Sequence, residues 1–257
     1  MGYKLLITKE EYNFFLNDAR NKLLLQYSYQ ELDCRRCVLE HPTNGCYEDV
    51  EAKVKLLNSY YSTRVIVEPM VQNILRIASN SEFQNCLQNG DPRLVTEIAN
   101  SSRDNFSFAT KYCALLAPDK YPIFDNLVWK FFCKLNELGF FDKETDGKFK
   151  NIKNSHSKAY ADYLDIYKEF MDKSGISKYA KNYREVDTFL WGAIKVYLLL
   201  EKKSKHTNIY PIKEWLKQYL PDLLTSIIGS AIWHIISQIK FVNSLGFSIF
   251  NPDISLA

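Results

Sequence analysis

The chain has 257 residues, 46% of them hydrophobic and 25% charged, with a net charge of +3. These values fit a globular protein with a sizeable core and exclude wholesale disorder. The mild basic excess permits a local nucleic-acid patch but does not demand one.

Helical periodicity runs through the chain. Residues 9–28 place Tyr12, Phe15, Leu16, Leu23 and Leu24 at helical spacing, predicting a first helix. Residues 48–78 predict two helices broken near Val67–Pro69. Asn89–Gly90 and Asp91–Pro92 mark a turn before a short helix over 93–100. The polar, lysine-rich stretch 142–158, with Lys148, Lys150, Lys153 and Lys158, reads as a loop or an insertion. Helices are expected again over 160–173, 184–200 and 211–220. No run alternates β-formers between turn residues, so the fold class is all-α.

The N-terminus carries no signal-like apolar run, which predicts a cytoplasmic location and reduced cysteines. The apolar run Ser226–Ser237 is too short to span a bilayer and reads as a buried helix, so no membrane partner is expected.

Residues 105–130, NFSFATKYCALLAPDKYPIFDNLVWK, hold the most informative pattern. An apolar helix carrying Lys111 is followed by a turn with two prolines. Asp125 then stands at the N-cap of an amphipathic helix. A lysine and a capping aspartate are ordinary residues singly. In this order they resemble the helix-hairpin-helix DNA glycosylases, the bacterial 8-oxoguanine glycosylase-like branch in particular. Two further segments share the likeness: KLLNSYYSTRV at 55–65, and YREVDTFLWGAIK at 183–195. The resemblance covers roughly residues 48–200.

That resemblance implies a two-lobed helical glycosylase domain over 1–206 with a helix-hairpin-helix element, and a C-terminal helical extension over 207–257. It implies excision of a modified base from double-stranded DNA by a monomer that requires no cofactor. Lys111 would be the amine that attacks the sugar and Asp125 the carboxylate that stabilises the developing cation. Asn58, Tyr60, Tyr61 and Arg64 would form the DNA-binding wedge, with core packing as the alternative for the tyrosines. Ser107 and Ala109 stand where the family's hairpin has glycines that admit a phosphate. Asp187 and Trp191, one turn apart, would face the base pocket, with a cap or salt bridge and a core position as their alternatives.

The divergent hairpin and the long C-terminal segment favour an anti-phage substrate, a hypermodified cytosine such as glucosylated hydroxymethylcytosine. An 8-oxoguanine-type repair enzyme with lyase activity is the second reading. A non-catalytic DNA-binding protein is the third, and it would have no need of Lys111 or Asp125. Separately, Cys34, Cys37, His41 and Cys46 form C-x2-C-x3-H-x4-C, the ligand types of a structural zinc site. Buried packing on one helix face explains the first three equally well.

Overall fold

The computed structural model describes residues 5–10, 12, 13, 16, 25–100, 105–154 and 159–206. The described residues are all-helical, with no strand. Residues 9, 10, 12, 13 and 16 are helical. Ten α-helices follow: α1 Leu25–Glu40, α2 Tyr47–Tyr61, α3 Val67–Ala78, α4 Phe83–Asn89, α5 Pro92–Ala99, α6 Phe106–Leu116, α7 Asn126–Glu137, α8 Asp146–Asn154, α9 Tyr160–Ser174 and α10 Tyr183–His206. The proposed extension 207–257, with the 211–220 helix and the Ser226–Ser237 run, lies outside the described residues, as do Phe15, Leu23, Leu24 and Lys158.

Three boundaries differ from expectation. The break between α2 and α3 falls at Ser62–Ile66, not at Val67–Pro69. Pro69 stands in the first turn of α3, where a missing N–H costs no helical bond. Helix α1 runs on to Glu40, well past residue 28. The lysine-rich stretch expected to be a loop instead forms a 3-10 turn, Lys143–Thr145, and helix α8. Phe149 and Ile152, three residues apart, are buried on one face of α8, and Phe149 stacks on Trp129 at 5.2 Å. Lys148 pairs with Asp165 at 2.7 Å. Two apolar anchors outweigh the polar composition of that segment.

Local chemistry explains the caps. Asp91 caps α5 by accepting from Arg93 N at 2.9 Å, with Pro92 at the first helical position. Gly90 ends α4 at φ +68. A Cβ there would stand 3.3 Å from both the Cβ and the carbonyl oxygen of Lys120. Glycine therefore serves two needs at this position, a left-handed backbone and a close approach to the chain before α7.

Helices pack mainly as sequential neighbours: α1 on α2, α2 on α3, α5 on α6 and α8 on α9, with α10 returning to α7. Helices α5 and α6, which follow each other in sequence, are in close contact. One contiguous cluster of buried residues runs from Leu5 to Ala193 and draws on the helices from α2 to α10. Its far side is aromatic: Phe132 lies within 6.3 Å of Phe141, Tyr163, Tyr167 and Phe170. Among the described residues, no helix is long and apolar enough to cross a membrane.

Candidate functional site

The site is built on the α6–α7 connection. Lys111 lies on α6, one turn after Ser107, so the two side chains share a face. Its Nζ contacts the Ser107 hydroxyl at 2.5 Å and stands 5.3 Å from the centre of the Tyr61 ring. The lysine is 6% exposed. Burial pulls its ammonium down to about 8, while the carboxylates of Asp125 and then Asp187 pull it back up. A substantial fraction of this amine is therefore neutral under mildly alkaline conditions, as a nucleophilic amine must be.

Asp125 caps α7, its Oδ1 accepting from Leu127 N at 2.7 Å and from Val128 N at 3.4 Å. Both cap bonds use Oδ1, which leaves Oδ2 uncommitted among the described residues.

The strand of chain leading into Asp125 is clamped by side chains at every backbone polar group. The Tyr160 hydroxyl donates to Pro122 O at 3.0 Å. Ile123 N donates to Asp187 Oδ2 at 3.0 Å, and Ile123 O accepts from the Tyr163 hydroxyl at 2.8 Å. Phe124 N donates to Thr110 Oγ1 at 3.1 Å, and Phe124 O accepts from Ser107 Oγ at 3.1 Å. Asp187 also accepts from the Tyr167 hydroxyl at 2.7 Å. Residues 160, 163 and 167 lie on one face of α9, so one helix supplies three of these anchors. A segment with no regular hydrogen bonding of its own is thereby fixed on both sides, by α9 with α10 and by α6.

A cavity of about 440 Å³ opens beside Lys111. Helix α1 supplies Glu31, Cys34, Arg35, Val38 and Leu39. Tyr61, Lys111, Ile123, Asn182 and Arg184 make half of the remaining wall, and the apolar Leu57, Ala114, Leu115, Leu116 and Pro118 make the other half.

The predicted residues thus separate. Lys111 and Tyr61 meet at the cavity, with Asp125 close enough to act on the lysine's charge. Asp187 is buried beneath it, both oxygens engaged, and burial raises its carboxyl to about 7. Trp191, half-buried on the same helix, is not among the cavity-lining residues. Tyr60 donates its hydroxyl to Asp33 on α1. Asn58 holds the α2–α3 turn: its Nδ2 donates to Val65 O at 2.8 Å, and its Oδ1 accepts from Thr63 Oγ1 at 2.6 Å and Val65 N at 3.0 Å. That turn needs such support, because Ser62 and Arg64 both adopt positive φ, +48 and +57. Arg64 and Ile66 project from it, exposed. Ala109 is fully buried and its N–H donates to Asn105 O at 2.9 Å, so that amide is committed within the helix.

The four residues of the cysteine–histidine pattern take separate positions. Cys34 and Cys37 are buried on α1, and burial pushes the Cys34 thiol up to about 11 and the Cys37 thiol up as well. His41 contacts Asp49 at 3.2 Å, and the exposed Cys46 contacts Glu48 at 2.8 Å. Among the described residues, no three His, Cys, Asp or Glu side chains converge as metal ligands.

Sequence reasoning missed the supporting residues. Thr110 and the three tyrosines fall in this group. So does Lys53, fully buried, whose ammonium donates to Thr43 O and to Asn44 Oδ1, the latter also accepting from Tyr112. The 160–163–167 spacing was a visible signal of one tyrosine-bearing face. Nothing local marked the backbone atoms that its hydroxyls reach.

The HI_0787_N family model, described as an N-terminal domain, matches residues 9–120. That stretch contains Lys111 and most of the cavity wall and stops before Asp125. A protein of Haemophilus influenzae, named only as an uncharacterized protein, is 28% identical over 150 residues. The alignment covers 56% of this chain and 65% of that protein. No solved structure matches.

Proposed function

We propose that the chain is a DNA glycosylase, on a two-lobed glycosylase-like scaffold, that excises a modified base from double-stranded DNA. The observation that carries this reading is the buried Lys111 amine, lowered to about 8, facing a cavity next to a helix-capping carboxylate. In this reading the target base leaves the stack and enters the cavity. The bond from the sugar's anomeric carbon to the base breaks, and the electron pair leaves with the base. Positive charge develops on the sugar, and Asp125 Oδ2 lies available to stabilise it. The neutral amine of Lys111 bonds to the anomeric carbon, and ring opening gives a Schiff base. In this reading the exposed Arg64 and Ile66, on the turn held by Asn58, would meet the duplex.

The cavity volume is in the range of drug-sized ligands. It favours an enlarged base over a bare pyrimidine, and Glu31, Arg35, Asn182 and Arg184 supply polar groups for a substituent such as a sugar. A bulky hypermodified cytosine is therefore the preferred substrate class.

The test is incubation with duplexes carrying glucosylated hydroxymethylcytosine, 8-oxoguanine or unmodified bases, with borohydride present. The expected result is a covalent protein–DNA adduct on the bulky cytosine and none with Lys111→Gln. Adducts on 8-oxoguanine alone would reassign the substrate. Base release by Lys111→Gln without an adduct would transfer the chemistry to water activated by Asp125. No base release from any duplex would refute the enzyme reading.

A further inference from the structure

We propose that Ser107 is a positioning residue for the Lys111 amine: its hydroxyl, donating to the Phe124 carbonyl, offers Nζ only an acceptor and so turns the amine's lone pair away, toward the cavity. The inference rests on the reading of Lys111 as the reacting amine.

A serine hydroxyl has one proton. Here that proton goes to Phe124 O at 3.1 Å. Toward Lys111 Nζ, at 2.5 Å, the oxygen can then only accept. One N–H of the lysine is bound there whether the group is ammonium or amine. The Tyr61 ring face, 5.3 Å from Nζ, attracts positive hydrogen rather than a lone pair. When the amine is neutral, its nucleophilic pair must therefore point away from both.

The reverse arrangement, with Ser107 donating to the lone pair, would cost Phe124 O this bond and would mask the nucleophile. The backbone clamp on residues 122–124 opposes it, because Phe124 is held on its N–H side by Thr110 and cannot readily turn its carbonyl elsewhere. The remaining charged groups facing Lys111 are Asp125 from the α7 cap and Asp187 from α10. Glu31 and Arg35 from α1 and Arg184 from α10 line the same cavity. Among the described residues, Ser107 is the one hydrogen-bond partner of Nζ.

The test uses the full chain without DNA. The protein is labelled with carbon-13 lysine, and the Lys111 signal, assigned by its loss in Lys111→Gln, is followed from neutral to alkaline pH. Ser107→Ala should lower the titration midpoint by about one pH unit, since the buried ammonium loses an acceptor that water replaces only in part. Ser107→Thr, which keeps the hydroxyl, should titrate as the parent does.

A small aldehyde with borohydride then reports orientation. Nζ bonds to the aldehyde carbon, water leaves, and hydride reduces the imine to a secondary amine that mass spectrometry assigns to Lys111. Compared at equal fractions of neutral amine, Ser107→Ala should react about tenfold more slowly than the parent and Ser107→Thr at the parental rate. An unchanged midpoint in a folded Ser107→Ala would overturn the proposal, and so would an unchanged normalised rate. Both measurements are independent of base excision. A chain that releases no base but shows both effects would refute the glycosylase reading and leave Ser107 as the residue that orients Lys111.

Discussion

Replacing Asp187 with Asn should remove a large part of the chain's pH-dependent stability between mildly acid and neutral conditions. The side chain is 7% exposed, and burial raises its carboxyl from 3.8 to about 7. An acid whose folded value lies above its unfolded value contributes stability that is full below the unfolded value. That contribution is lost as pH rises through the folded value. A difference of roughly three pH units corresponds to about 4 kcal/mol. Lys111 has the opposite sign. Its folded value of about 8 lies below 10.5, so stability returns as pH climbs from one to the other, by about 3 kcal/mol. Together the two groups place a stability minimum between about 7 and 8, where the buried carboxylate and the buried ammonium are both charged. Asn cannot titrate, yet its amide oxygen can still accept from Ile123 N. Urea denaturation of parent and variant at several pH values up to about 7 isolates the effect; at higher pH the Lys111 titration no longer cancels, because the Asp187 carboxylate is one of the charges that pull it up. The variant should be similar to or slightly less stable than the parent near pH 4, and more stable by up to about 4 kcal/mol near pH 7. Parallel curves for the two proteins would refute the reasoning.

Three other outcomes are expected. Thr110→Val keeps the shape but strips Phe124 N of its acceptor, so urea denaturation should show a loss of about 1–3 kcal/mol; a neutral result would mean that the clamp is not rigid. Asp125→Asn retains a helix cap, so thermal unfolding and DNA gel shifts should stay near parental while base release falls by at least about 100-fold. Undiminished release would remove Asp125 from the chemistry. Brief alkylation of the native chain followed by peptide mapping should label the exposed Cys46 well before the buried Cys34, Cys37 and Cys113, and an early Cys34 adduct would contradict the burial described for it.

The all-helical class and most helix positions were legible because they depend on local periodicity and caps. The Asp91–Pro92 start of α5 and the Asp125 start of α7 are written in a few adjacent residues. Where composition and tertiary contact disagreed, contact won: Phe149 and Ile152 make a helix of a segment whose lysines suggested a loop. At the site, the pairing of Lys111 with Asp125 came from the family resemblance, and only the Asp125 cap was written in the local sequence. The roles of Asn58 and Asp187 were not, since each depends on which distant backbone atoms its side chain meets. Asn58 reaches Val65 across a strained turn, and Asp187 reaches Ile123 across 64 positions. A face of side chains can be inferred from periodicity, but its partner on another element cannot.

The cavity wall has a division of labour with an evolutionary consequence. Lys111 and Ile123 belong to a part of the wall backed by Ser107, Thr110, α9 and α10 through the hydrogen bonds around residues 122–124, so a change there disturbs several contacts at once. Five other wall residues, Glu31, Cys34, Arg35, Val38 and Leu39, all hang from α1. Leu39 is 80% exposed, and among the described residues Arg35 pairs with Glu31 of its own helix, at 2.6 Å. Substitutions along this single helix can reshape what the cavity admits while Lys111 and the residues behind it keep their geometry. A lineage facing a changing set of ligands could therefore diversify by drift and selection on one face of α1, with the rest of the scaffold inherited unchanged.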